Sequence, residues 1–265
     1  MIAAFAKGYQ VFGNQVYADA ARGAVDFTLK NLRTADGRLL RRYRQGEAAY
    51  PAYLDDYAFL VWGLIELYEA AFEVSYLEEA IALNEEMIDI FWDKEAGGLY
   101  FTGKGNEPLI ARSKELYDGA LPSGNSVAAL NLLRLGRMTG SPALEQRAEQ
   151  LVGAFSRKVS EQPMAYTQLL IALDFMVGPS KEIVVAGDPA LETTQAMITA
   201  IQKAFMPNKV LLLRHQGEER KRLAALSSFV EAMVPVDNKP TVYMCEQYAC
   251  QRPIKDMGQL QSALH

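Results

Sequence analysis

Along the first two thirds of this chain apolar residues recur at the three-and-four spacing of helices, and they do so in paired segments of two kinds. The segments at about 55–72 (DDYAFLVWGLIELYEAAF) and 125–138 (NSVAALNLLRLGRM) are apolar on most sides, the pattern of helices buried all round. The segments at about 76–92 and 142–159 are amphipathic and carry Glu, Gln and Arg on one face. An earlier helix over 17–32 and a later one over 162–176 extend the series. The units repeat in phase, with Gly37 and Gly97 60 residues apart and Tyr17 and Tyr76 59 apart. A repeat of that length marks one supersecondary unit stacked on the next. Apolar inner helices inside amphipathic outer ones predict a mainly α fold, a partial α/α toroid of the six-hairpin glycosidase type. The predicted hairpins number about three and a half, and the chain enters directly into a helix near Ile2. A closed ring needs about six. Either a further N-terminal portion or a second copy of the chain, as a homodimer, is therefore expected to cover the exposed inner helices.

The pattern changes near Gly178-Pro179. From there β-branched runs alternate with helical ones: EIVVAG, ALETTQAMITAIQKAF, KVLLLR, a polar helical stretch EERKRLAALSSFVEAM, then TVYMC and MGQLQSAL. Strands alternating with helices predict a small α/β module with a short, three-stranded parallel sheet. The division falls at about residue 178, giving a toroid portion over 1–178 and the module over 179–265.

Composition narrows the function classes. Net charge is −5, so no surplus of Lys and Arg exists to neutralise phosphates, and no nucleic-acid partner is expected. No run approaches the roughly 18 apolar residues of a membrane span, and no membrane partner is expected either. The two cysteines, Cys245 and Cys250, are too few for a disulfide framework and are expected to be structural thiols, which makes a cytoplasmic location the default. Histidine is scarce: His215 and His265 are the only two. A histidine-based metal site or a Ser-His-Asp triad is accordingly not expected, and neither a metal nor another cofactor is assigned. Gly187 after EIVVAG lacks a G-x-G-x-x-G context, so no nucleotide site is assigned.

Four motifs carry a resemblance: YLDDYAFLVWGL (53–64), GGLYFT (97–102), DGALPSGNSVAAL (118–130) and YMCEQYACQRP (243–253). They resemble the C-terminal half of the YyaL family, which includes spermatogenesis-associated protein 20. The resemblance covers essentially the whole chain. It implies a thioredoxin-like domain joined to a six-hairpin toroid similar to N-acylglucosamine 2-epimerases and six-hairpin glycosidases. Those epimerases move protons with ring histidines, and residues 1–178 hold none. It also implies a contact between a thioredoxin-like domain and the C-x4-C segment as an alternative to plain structural thiols.

Candidate chemistry gathers in the connectors. Asp55 and Asp56 open an inner helix and Asp118 precedes the LPSGNS turn, so carboxylates from neighbouring connectors stand over one cavity as a candidate acid and base. The structural alternative is that they favour helix N-termini, with Ser123 and Asn125 as caps. Arg41, Arg42, Tyr43 and Arg44 offer guanidinium forks and an aromatic face, or else a solvated loop. Tyr53, Trp62 and Tyr100 are sugar-stacking or core residues. Two functions follow: a carbohydrate-active protein using Asp55, Asp56 and Asp118 with Arg42, Tyr43, Tyr53, Tyr100, Ser123 and Asn125 around a sugar, or a non-catalytic ligand-binding or scaffold module.

Overall fold

Residues 1–106 and 110–264 are described by a computed structural model of the chain. Helix α1 (Ile2–Phe12) pairs with α2 (Gln15–Asn31), α3 (Leu54–Ala71) with α4 (Val74–Phe91), and α5 (Gly124–Thr139) with α6 (Pro142–Glu161). Helix α7 (Thr167–Val177) follows alone. Helices α1, α3, α5 and α7 pack side by side as an inner row, and each outer helix returns along its own partner. The all-round apolar pattern of the inner helices is what this arrangement requires. Tyr57, Leu64, Ile65 and Tyr68 of α3 have essentially no exposed surface, and each such side chain contributes about 1.5–3 kcal/mol of burial. Outer helix α6, by contrast, buries only Ala148, Leu151 and Phe155.

The connector after α2 is more regular than the sequence suggested. Strands β1 (Leu40–Arg44) and β2 (Glu47–Pro51) form an antiparallel ribbon. Gln45 and Gly46 turn it, both with left-handed backbone.

The second part comprises β3 (Lys181–Ala186), α8 (Glu192–Lys203), β4 (Lys209–Arg214), α9 (Gly217–Leu226), β5 (Thr241–Glu246), β6 (Ala249–Cys250) and α10 (Met257–Ala263). Its sheet runs β4-β3-β5-β6 and is mixed, not parallel: β3 and β4 are parallel, whereas β5 and β6 run antiparallel. The polar stretch after β4 explains the difference. It breaks at Ser227 into α9 and a 3-10 turn (Ser228–Ala232) and makes no crossover along the sheet. Thr241 then enters beside Ala186, at the end where β4 leaves off at Arg214.

The cysteines are not free thiols. Cys245 and Cys250 are directly opposed across the β5–β6 ladder and form a disulfide. A C-x4-C spacing with a tight turn inside it puts both side chains at one cross-strand position, which the sequence reading did not take into account.

This α/β part closes one end of the inner row. The Leu211 N–H donates to Glu69 Oε1 at 3.2 Å, Gln202 Nε2 donates to the Glu69 carbonyl at 2.9 Å, and His215 Nε2 lies 2.8 Å from the Phe72 carbonyl. Buried residues of both parts form one continuous core. The opposite end carries the first residues of α3, α5 and α7 and the connectors that hold the candidate chemistry.

Candidate functional site

Three helix N-termini meet at this end. The connectors reach them through backbone bonds: Leu54 N–H to the Phe101 carbonyl at 3.1 Å, and Asp118 N–H to the Ala165 carbonyl at 2.9 Å. Asn125, fully buried at the start of α5, ties two more strands of chain together. Its Nδ2 donates to the carbonyls of Leu99 and Glu115 at 2.9 and 2.8 Å, and its Oδ1 accepts from the Leu99 N–H at 2.8 Å. All of its polar capacity is used on backbone. Ser123 caps the same helix, its Oγ accepting from the Ser126 N–H at 3.2 Å.

Asp118 is almost buried, and both of its oxygens are occupied. Oδ1 accepts from the Ser123 N–H at 2.9 Å; Oδ2 accepts from the N–H groups of Gln168 and Leu169 at 2.9 and 3.1 Å. The carboxylate therefore fixes the turn before α5 and caps α7, where the helix dipole favours negative charge.

Asp56 Oδ2 accepts from the Tyr53 N–H at 2.8 Å, the return bond of a helix cap. Burial pushes its carboxyl above the ordinary range, against the opposing effects of that bond and of the Arg41 charge. Asp55 is different. It is half-buried beside Gly124, where a Cβ would come within 2.4 Å of Asp55 Oδ1. Its carboxyl is pushed up first by burial and next by the Glu115 carboxylate, while the Gly124 N–H and Arg41 oppose the rise. Glu115 is an exposed acid in the approach to α5 that carries no motif in the sequence, and its carbonyl accepts from Asn125 Nδ2 at the start of that helix. Only the fold brings it next to α3.

An aromatic and cationic surround adjoins these acids. The Arg41 guanidinium lies 4.4 Å over the Tyr53 ring, and Tyr53 packs against Phe101 with ring centres 4.9 Å apart. The remaining candidates stand elsewhere. Arg42 stacks on Tyr50 at 4.7 Å and Tyr43 meets Phe27 edge-on at 5.1 Å, both out on the ribbon. The Tyr100 hydroxyl donates to Asp93 Oδ2 at 2.9 Å, and its ring sits between Arg112 and Lys114, the latter paired with Asp93 at 2.6 Å. Trp62 lies further along α3 and donates to Glu66 at 3.2 Å. A groove of about 760 Å³ opens between the outer helices α4 and α6, lined by Trp92, Asp93 and Arg147. None of the candidate acids lines it. No cluster of potential metal ligands occurs among the described residues, and His265 lies outside them.

Rat spermatogenesis-associated protein 20 is 35% identical to this chain over 276 residues, a match that covers 100% of the chain. Along its whole length the chain is homologous to the spermatogenesis-associated protein 20 family. The human member is 34% identical over the same extent, and a Caenorhabditis elegans protein, B0495.5, is 30% identical over 98% of the chain. The chain spans about a third of the length of these relatives, 35% in the rat protein. No family model matches it. Among solved structures, cellobiose 2-epimerase from Bacillus thermoamylovorans superposes with a TM-score of 0.50 at 14% identity, covering 94% of this chain and 63% of the epimerase. At that identity the likeness shows the fold alone: the chain is built as an α/α toroid.

Proposed function

We propose that this chain is a carbohydrate-active module that binds a sugar over the N-terminal ends of α3 and α5, with Asp55 and Glu115 as its acid–base pair. The observation that carries this reading is the environment of Asp55. A half-buried carboxyl raised by burial and by a neighbouring carboxylate stays protonated to higher pH than an exposed acid does. Two neighbouring carboxyls can divide the work, one donating a proton and the other accepting one. Here Asp55 donates a proton to a sugar oxygen and exposed Glu115 takes one from the attacking or epimerising position. Tyr53 and Phe101 supply an apolar face for the sugar ring, and Arg41 holds a hydroxyl or carboxylate substituent. The fold shared with a cellobiose 2-epimerase supports a sugar by analogy of architecture.

The engagement of Asp118, Ser123 and Asn125 in backbone bonds favours a second reading, a non-catalytic sugar-binding or scaffold module working with a thioredoxin-like domain. A thermal-shift screen against monosaccharides, disaccharides, uronic acids and sugar phosphates separates the two, with Asp55→Asn and Glu115→Gln run alongside. A bound ligand raises the midpoint by mass action, and a 100-fold excess over Kd adds about 2.7 kcal/mol. Under the first reading one sugar stabilises the chain and is turned over, and each variant abolishes turnover. Binding with no turnover in the wild type supports the second. No response to any sugar removes the first.

A further inference from the structure

The hairpin that ends the sheet is held by more than its own strand pairing. Its turn rests on Gln247 and Tyr248, both with left-handed backbone (φ 50° and 63°), although neither is glycine. Below the turn Cys245 and Cys250 are joined across the ladder, Cys245 buried and Cys250 exposed. Above it Tyr248 reaches onto the toroid. Its phenol donates to Glu145 of α6, its ring lies 4.9 Å from the Arg137 guanidinium of α5, and its N–H donates to Glu182 Oε2 of β3 at 3.2 Å. Arg137 is itself paired with Glu182 at 3.3 Å and Glu145 at 3.4 Å. The disulfide loop therefore covers a buried arginine–glutamate cluster at the seam between the two parts of the chain.

A cross-link between residues five apart closes a small loop. Such a link removes less entropy from the unfolded chain than one spanning a domain, so it acts weakly as a global staple. What it does hold is local: the turn, and through Tyr248 the contact with Arg137 and Glu145. Cys250, the exposed half of the link, is the side open to an attacking thiolate. We infer that the Cys245–Cys250 disulfide is a thiol–disulfide exchange site for a dithiol, latching the Tyr248 turn onto the Arg137–Glu145 seam.

In the exchange a thiolate of the dithiol attacks Cys250 Sγ and the Sγ–Sγ bond breaks. The electron pair leaves on Cys245 Sγ, which takes a proton. The second thiol of the reagent then attacks its own sulfur in the mixed disulfide, releasing Cys250 as a thiol. The chain is reduced by two electrons and gains two protons, while the dithiol is oxidised to its disulfide. Without the cross-link, only the short pairing of β6, the flanking Gln251 N–H bond to the Met244 carbonyl and the Tyr248 contacts hold the turn, and it lifts from the seam more readily.

The full chain is treated with dithiothreitol under native conditions, quenched with N-ethylmaleimide and weighed intact, with backbone hydrogen exchange followed in parallel. The expected result is two maleimide adducts on a chain that keeps its helical circular dichroism. Exchange at 245–250 and at the start of α6 is expected to accelerate about tenfold. Cys245→Ser/Cys250→Ser, which cannot form the link, shows the same fast exchange with or without reductant. Tyr248→Phe, which loses the bond to Glu145, keeps the disulfide but is reduced several-fold faster, since a latch and its catch stabilise each other reciprocally. Adducts that form only after denaturant is added would overturn the inference, as would global unfolding on reduction. So would exchange at α6 that is the same in oxidised, reduced and doubly substituted chains.

Discussion

Asp55 carries a cost in the folded chain. Its carboxyl has a raised affinity for protons in the folded chain, so ionising it at neutral pH works against folding. The destabilisation sets in as pH rises through the unfolded value near 3.8 and is complete above the raised folded one. Asp55→Asn is therefore expected to melt no lower than wild type at pH 7, and no higher than wild type at a pH where both states are protonated. If turnover on a sugar is found, this same substitution removes it. Loss of activity together with lost stability would instead mark Asp55 as a structural cap. Asn125 makes the opposite prediction. Two of its three bonds to backbone are buried and the third partly so, and Asn125→Ala strands those groups at a cost of about 2–4 kcal/mol, read as a fall in the urea midpoint. The sequence marked Asp55, Asp56 and Asp118 because each stands at the entry to an inner helix. It could not separate them, since what distinguishes them is which backbone N–H groups each oxygen meets. Glu115 escaped notice for the same reason: its neighbour is 60 positions away in the chain.

At the scale of the element, the helices were legible because their buried faces are continuous and their period is strong. Helix α3 was expected over 55–72 and runs Leu54–Ala71; α5 was expected over 125–138 and runs Gly124–Thr139. The sheet was less legible. A strand's period does not say which way its neighbour runs, and the direction of β5 depended on where the segment between β4 and β5 breaks. The β1–β2 ribbon was missed because LRRYR has charge where a half-buried strand would alternate; it lies exposed and pairs only with its own return. The N-termini of α5 and α7 give the tests here. Asp118→Ala removes the acceptor of three backbone N–H groups and should destabilise the chain by about 1–2 kcal/mol, with faster hydrogen exchange confined to the first turn of α7 and the 119–123 turn. Gly124→Ala places a methyl within 2.4 Å of Asp55 Oδ1 and 2.7 Å of Leu54 Cγ, an overpacked contact worth about 1–3 kcal/mol. If Asp55 is the proton donor, that small change at a neighbouring helix should also shift the pH optimum of any turnover.

Across the whole molecule, the two parts are joined through charge as well as apolar surface. Arg134 of α5 is buried between Glu66 and Glu69 of α3, with its nitrogens 2.7 Å from Glu66 Oε1 and 3.2 Å from Glu69 Oε2. Lys7 of α1 approaches the other Glu66 oxygen at 3.1 Å, and Glu69 accepts the N–H of Leu211 from β4. Three inner helices and the sheet thus share one buried ionic cluster. Burial alone would raise the Glu66 carboxyl, but the charges of Arg134 and Lys7 outweigh it and hold the group well below its ordinary value of 4.5. A carboxyl depressed on folding adds stability that is fully present above its unfolded value and is lost as pH falls through the folded one. The cluster should therefore give the chain an acid-unfolding limb beginning below about pH 4.5, and Glu66→Gln should flatten that limb while lowering stability at pH 7. Removing Arg134 is harsher, because buried Glu69 then loses its counter-charge and Glu66 keeps only Lys7. Arg134→Met should cost about 3–5 kcal/mol at pH 7 and less as pH is lowered and the carboxylates protonate. Denaturant titrations from pH 7 to pH 3 measure both slopes. Parallel stability curves for wild type and Arg134→Met would mean that the cluster contributes packing rather than charge.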